Sequence, residues 1–292
     1  MYREIQAKTL LTTIKGDDPI FGQRYNLNLY RGCEHQCIYC DSRSECYGIE
    51  NFRDVLVKVN AIELLKKELA SKRVVGTVGF GSMSDPYTRA ELKYNLTRQA
   101  LEVLARMRFP AHLNTKSTLI ERDLDLLAEV NRVHCSVCFS ITTPDDELAR
   151  KVEPGAPVSS ARFASMRHLA ERGIPVGVSM MPILPFLEDQ PANIAAIVEQ
   201  TAAHGGTFII PWFGMSLRDR QREYYYRELE RLFPGLKEKY ERRYGERYGA
   251  AASNAKALEA VFHETCQKHN IATRVRRYQP AAPTQPSQLS LW

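Results

Sequence analysis

Between Asn26 and Trp212, short apolar runs alternate with amphipathic stretches. The runs Asn26–Tyr30, Val74–Phe80, Ala111–Thr115, His134–Ile141, Pro175–Met180 and Thr207–Trp212 read as strands. The stretches Ala61–Ser71, Tyr87–Met107, Glu121–Val130, Ser159–Arg172 and Asn193–His204 carry the helical spacing of apolar positions. Strand then helix, repeated with short connections, predicts βα units on a parallel sheet. Such a run of strands fits an α/β fold, a partial (β/α)6 TIM-like barrel, better than an open doubly wound sheet. Gly79-Phe80-Gly81 is not followed by a full dinucleotide fingerprint.

In a barrel of this kind the chemistry sits at the carboxyl ends of the strands. There the sequence places a cysteine loop after the first strand, Gly79–Pro86 after the second and Thr115-Lys116-Ser117 after the third. Ser140–Pro144, Met180-Met181-Pro182 and Pro211-Trp212-Phe213 end the other three. From about Met215 the composition shifts. Leu217–Tyr248 holds ten Arg/Lys, seven Asp/Glu and six tyrosines, and predicts helix broken at Pro234-Gly235. Ala251–His269 reads as a further helix, and Pro280–Ser287 as a flexible linker. The expected organisation is an N-terminal extension (1–25), a barrel (26–214), a C-terminal helical segment (215–279) and a tail (280–292).

Length and a 44% hydrophobic, 25% charged composition fit a globular protein of 292 residues. No apolar run suits a bilayer span and no signal peptide is evident, so a cytoplasmic location is expected. A net charge of +6 is compatible with a polyanionic partner without demanding one. Seven cysteines, an odd number, in a reducing compartment argue for metal binding or catalysis over disulfides.

Cys33, Cys37 and Cys40 form C-x3-C-x2-C. Three thiolates fill three corners of a cubane iron–sulfur cluster and leave one iron open, whereas structural sites take four ligands. With the aromatic Tyr39 before the last cysteine, the motif resembles the radical S-adenosylmethionine (radical SAM) superfamily. Asn28–Cys37, Ser84-Asp85-Pro86-Tyr87, Thr115-Lys116 and Phe139-Ser140 resemble its spore photoproduct lyase-like branch. The resemblance implies a radical SAM barrel with a 4Fe–4S cluster on Cys33, Cys37 and Cys40. It implies S-adenosylmethionine on the open iron, cleaved by one electron to give a 5′-deoxyadenosyl radical. An electron donor such as flavodoxin or ferredoxin would be required. Ser84, Asp85, Lys116, Ser140 and Tyr39 match positions near the cofactor, with Tyr39 also a candidate catalytic residue. Outside the resemblance, Ser84–Tyr87 reads as a helix cap and Lys116 as a loop charge.

Two positions depart from the lyases. Met83 stands where they carry a hydrogen-donating cysteine, and Asp41 where they carry a tyrosine. A thioether has no S–H to give, so thymine-dimer reversal itself is not expected. Cys138 shares strand parity with Ser140 and is the substitute donor considered, with Cys46 a second. Cys135, three residues from Cys138, points to the opposite face. Arg274, Arg276 and Arg277 are candidate phosphate contacts, and the tyrosines of 217–248 read as a solvated helical face more readily than as base-stacking groups. The terminal Gln288-Leu289-Ser290-Leu291-Trp292 resembles the bacterial sliding-clamp binding motif, with Gln288, Leu289, Leu291 and Trp292 as anchors. The leading expectation is a radical SAM enzyme acting on DNA or a nucleotide lesion. The alternatives are an RNA, peptide or metabolite substrate, or a non-enzymatic clamp- or DNA-binding protein with zinc on the thiolates and His35.

Overall fold

The computed structural model describes residues 1–52 and 54–280. Twelve strands occur among them: β1 Tyr2–Ile5, β2 Leu11–Thr13, β3 Tyr25–Leu27, β4 Tyr30–Arg31, β5 Val55–Lys58, β6 Val78–Phe80, β7 Ala111–Thr115, β8 Cys135–Ser140, β9 Val176–Met180, β10 Phe208–Pro211, β11 Gly214–Ser216 and β12 Gly249–Ala251. The helices are α1 Ala61–Ala70, α2 Glu91–Tyr94, α3 Leu96–Met107, α4 Leu124–Asn131, α5 Asp146–Val152, α6 Ser159–Glu171, α7 Pro191–Ala203, α8 Asp219–Leu232, α9 Leu236–Tyr244 and α10 Ala255–Lys268.

The main sheet runs β10-β9-β8-β7-β6-β3-β2. From β3 to β10 every neighbouring pair is parallel, and β2 joins the β3 edge antiparallel. This is the predicted partial (β/α)6 barrel. Its strands obey a period of two. Val78, Phe80, Leu113, Val137, Phe139, Val176, Val178 and Ile209 enter the main apolar core with residues of α1, α3, α4, α6 and α7. The alternate positions are small or polar, as in His112-x-Asn114 and Ser136-x-Cys138-x-Ser140. Helices therefore cover an apolar outer face, and polar groups collect inside.

The barrel does not close between β10 and β2. At the amino ends of the strands Ala272 bridges to Phe208, and Arg277 reaches Asp17 at 3.0 Å. Phe21 stacks on the buried His112, ring centroids 4.6 Å apart. Together the 17–23 and 271–277 stretches plug this end.

Several boundaries differ from the sequence reading for local reasons. The helix expected over 87–107 splits at Asn95, which takes a left-handed conformation (φ 54°), and the buried Glu91 carboxylate accepts the Thr97 N–H at the new start. The run expected over 74–80 pairs only from Val78, its first residues being exposed. Two small sheets, β1-β5-β4 and β11-β12, were not anticipated. The tyrosines of 217–248 are not a solvated face. Tyr225, Tyr226, Tyr240 and Tyr244 are buried with Cys37, Ile38 and Tyr39; the Tyr225 hydroxyl donates to that of Tyr240 at 3.0 Å, which donates to the Pro185 carbonyl at 2.8 Å. Among these six only Tyr248 is strongly exposed. No helix among the described residues is long and apolar enough to cross a membrane. The clamp-like residues Gln288, Leu289, Leu291 and Trp292 lie outside the described residues.

Candidate active site

A cavity of about 280 Å³ opens at the carboxyl ends of the strands. Cys33, Cys37 and Cys40 line it together with Tyr39, Ser84, Asp85, Lys116 and Ser140, so every cofactor position named from the sequence reaches one place. The cysteine loop leaves β4 and is shaped by side chains outside the cavity. Gln36, at φ 52°, turns its amide back to the Cys33 carbonyl (2.7 Å) and the Phe52 carbonyl (3.2 Å). Arg43 donates to Gln36 Oε1 (3.1 Å) and the Cys37 carbonyl (3.4 Å), its guanidinium lying between the Tyr224 and Phe52 rings at 3.6 and 4.2 Å. The loop packs against the end of α5 and the segment after it, where Ile38 N–H bonds the Val152 carbonyl and Gly155 N–H the His35 carbonyl, both at 2.9 Å.

The start of α8 is fastened to the same loop. Asp219 accepts the Ser44 hydroxyl (2.8 Å) and the Glu45 N–H (3.1 Å). Arg220 donates to the Arg43 and Ile49 carbonyls, and Gln221 to the Tyr39 carbonyl at 2.9 Å. Arg218 meets Asp41 at 3.1 Å.

Burial pushes all three thiols above their ordinary pKa, Cys37 to about 12. Such thiols stay neutral alone and become thiolates when a metal centre takes them. Lys116 is drawn down by burial but raised on balance by Cys37 and Glu153, so it is a cation. Its Nζ lies 3.8 Å from Glu153, which also bonds the Tyr39 hydroxyl and pairs with the fully buried Arg162. Arg162 in turn donates to the Ser140 carbonyl at 2.8 Å.

Asp85 lines the cavity but is fully engaged. It accepts the Tyr87 N–H (2.8 Å), the Thr115 hydroxyl (2.7 Å) and the Lys116 N–H (2.7 Å), and His35 Nε2 lies 3.0 Å away. Burial raises its pKa, but His35 and these donors outweigh that and hold it near about 2. Its carboxylate joins three loops rather than facing the cavity with a free oxygen, which revises the expectation of a cofactor contact. Ser84 donates to the Tyr30 carbonyl at 2.8 Å and keeps its acceptor capacity.

His35 lines the cavity, with Nδ1 3.3 Å from the Gly155 carbonyl and Nε2 3.0 Å from Asp85. Among the described residues no three Cys, His, Asp or Glu side chains are grouped to hold a single ion, which does not favour the zinc alternative.

Cys138 lies beneath the cavity, not on its wall. It is fully buried with Phe208, Ile210, Val275 and Phe21, and burial raises its thiol pKa strongly. The geometry does not support the donor role considered for it. Cys135 sits in the outer core, on the opposite face as strand parity required. Cys46 is exposed and does not line the cavity. Arg274, Arg276 and Arg277 are exposed at the plugged end and do not line the cavity.

The sequence reading missed Asn114, which bonds Ser140 at 3.2 Å, and Ser179, whose buried hydroxyl has no partner among the described residues. Both line the cavity. Strand parity was the available signal: Asn114 is two residues before Lys116, and Ser179 is the register partner of Ser140. Gly81, at φ +91°, lets its strand end approach the Asn114 carbonyl where a side chain would collide.

A family model of the radical SAM superfamily matches residues 27–197. An uncharacterized protein of Mycobacterium tuberculosis is 36% identical over 231 residues, 76% of this chain and 67% of that protein. An uncharacterized protein of Methanocaldococcus jannaschii is 31% identical over 193 residues, 63% of this chain and 72% of its own. Spore photoproduct lyase complexed with dinucleoside spore photoproduct has a similar fold, with a TM-score of 0.69 at 18% identity over 92% of this chain and 79% of that one.

Proposed function

The chain belongs to the radical SAM superfamily, whose members are enzymes using a 4Fe–4S cluster and S-adenosylmethionine, and from that premise we propose that Cys33, Cys37 and Cys40 hold the cluster and that the enzyme acts on DNA or a nucleotide lesion. The observation that carries the site assignment is convergence: three thiols, Lys116, Ser84, Ser140, Asn114 and the unpartnered Ser179 hydroxyl meet in one cavity. Three thiols set around a cavity suit a multi-iron cluster with one open iron. When bound, the cluster and S-adenosylmethionine supply reductive cleavage to a 5′-deoxyadenosyl radical, which abstracts hydrogen from substrate.

The chain's own residues bind, orient and shield. Lys116 is a half-buried cation suited to a carboxylate, held by Glu153 and placed over the Tyr39 ring at 5.7 Å. Ser179, Ser140 and Asn114 offer hydroxyl and amide groups from neighbouring strands. Arg162 and Glu153 fix Ser140 and Tyr39 from behind. Met83 lines the cavity where the resemblance places a thiol, so the hydrogen returned to substrate has another source.

A nucleic-acid substrate is supported by the fold shared with spore photoproduct lyase and by the net charge of +6. Trp212, 48% exposed on the cavity lining, offers a flat face at the mouth. The test is anaerobic reconstitution with iron and sulfide, then S-adenosylmethionine and dithionite. The reading expects 5′-deoxyadenosine, formed faster with ultraviolet-irradiated DNA than with RNA, peptide or free nucleosides. No 5′-deoxyadenosine under any condition overturns the radical assignment for this site; stimulation by RNA or a metabolite alone overturns the DNA substrate.

A further inference from the structure

Glu153 directly follows α5 and is fully buried behind the cysteine loop. Its segment is pressed against that loop: Val152 accepts the Ile38 N–H, and a side chain at Gly155 would collide with the Glu34 carbonyl. The two carboxylate oxygens face different groups. Oε2 pairs with Arg162, while Oε1 accepts the Tyr39 hydroxyl and lies 3.8 Å from Lys116 Nζ. Arg162 is also anchored without it, donating to the Pro157 and Ser140 carbonyls at 2.8 Å each. The carboxylate thus stands between a cation locked into the fold and a cation that lines the cavity.

These three charges converge on Cys37. Lys116 and Arg162 bring positive charge to its sulfur, and Glu153 brings negative charge. Cys33 and Cys40 have other charged neighbours, Asp85 and Arg43, each fixed in its own contacts. Glu188 is raised to about 8 by burial and adds no charge at pH 7. Among the charged side chains acting on Cys37, one carboxylate therefore offsets one of two cations. The potential of a thiolate-held cluster follows the net charge and solvent exposure around it, and a buried charge is little screened. A cluster that gains an electron gains negative charge, so a carboxylate beside it disfavours reduction.

We propose that Glu153 sets the electron affinity of the cluster site, its charge keeping a reduced cluster a strong one-electron donor. The inference rests on the cluster assignment above. Reduction adds one electron from an external one-electron reductant, and no bond in this chain forms or breaks. Glu153 acts through Tyr39, Lys116 and the field at Cys37, which makes it a positioning residue.

The experiment is a mediated dithionite titration of reconstituted, full-length protein at pH 7, with the reduced cluster followed by electron paramagnetic resonance and no S-adenosylmethionine present. Glu153→Gln keeps the shape of the side chain and removes its charge. It is expected to favour reduction about tenfold, or about 59 mV for one electron. Lys116→Gln is expected to disfavour reduction by a similar factor. The double variant Glu153→Gln, Lys116→Gln restores the original excess of one positive charge and returns close to the wild-type potential, whereas two structural defects would compound. Asp219→Asn, which loosens the same loop away from Cys37, leaves the potential in place. An unchanged or lowered potential in Glu153→Gln overturns the proposal, and so does a double variant more displaced than either single one. If Glu153→Gln retains no iron, Lys116→Gln and the double variant are compared instead, and equal potentials there overturn it. A wild type that holds no cluster removes the assignment beneath the proposal; a wild type with a cluster whose potential ignores Glu153 overturns this inference alone.

Discussion

At the carboxyl ends of β6 to β9 the inward positions are Gly81, Asn114, Ser140 and Ser179; lower on β7 and β8 they are His112, Ser136 and Cys138. Both levels bury polarity inside the barrel, but they finish it differently. His112 bonds Ser136 at 2.8 Å through Nδ1, and although its Nε2 has no partner among the described residues, the ring is covered by Phe21, itself braced by a chain stretch that carries Arg277. The Ser179 hydroxyl above has no partner among the described residues, and Lys116 is a half-buried cation beside open space. Polar groups sealed by the protein serve the fold, and polar groups left facing a cavity await a ligand.

The contrast is broken most sharply at the cysteines. Cys37→Ala is expected to abolish iron retention and lower 5′-deoxyadenosine formation by more than the roughly 100-fold typical of outer metal-site partners. Iron analysis and product chromatography check this. At the sealed end, Phe21→Ala should leave product per bound iron unchanged. Between the two lies Glu153, which compensates both Arg162 and Lys116. Glu153→Ala leaves Arg162 buried without its partner and is expected to cost about 3–5 kcal/mol in urea unfolding. Phe21→Ala, at a half-buried site, is expected to cost about 1–3 kcal/mol by the same measurement.

The smallest test is pH. Burial lowers the His112 pKa to about 3 from 6.5, so the unfolded chain binds a proton that the fold does not. Stability from that group is full above pH 6.5 and is lost as pH falls toward 3. Burial raises Glu188 at the cavity end to about 8 from 4.5, despite hydrogen bonds from Leu184 and Thr142. Here the fold keeps a proton that the unfolded chain releases, so stability falls as pH rises from 4.5 to 8. Glu188→Gln should remove up to about 1.4 kcal/mol of the decline between pH 6.5 and 7.5. An unchanged slope in urea melts would place the titration elsewhere.

The barrel was legible because its strands and helices carry strong periodic signals, and β7 was placed to the residue. The short strands β1, β5, β11 and β12 of the two small sheets were not, since three or four residues with mixed exposure give little period to read. The cluster-motif cysteines, Ser84, Lys116 and Ser140 were named through their motifs, and all of them line one cavity. Asn114 and Ser179 shared the parity of known positions and could have been found with them. Glu153, Arg162 and Glu188 could not, because a charged residue looks the same in sequence whether it faces water or is fully buried. The tyrosines of 217–248 were misread for the related reason that charge between them hides an apolar stripe on one side of α8 and α9.

The fastening of Asp219, Arg220 and Gln221 to residues 39–49 has a consequence for how this protein can be divided. A chain cut after the last barrel strand would keep its three cysteines but lose the brace on the loop that presents them. The barrel is therefore not a portable module with an optional appendage. A chimera that exchanges the region after Met215 inherits the obligation to rebuild those contacts, and a minimal version of this protein ends no earlier than α9, whose Tyr240 and Tyr244 complete the packing around Tyr39.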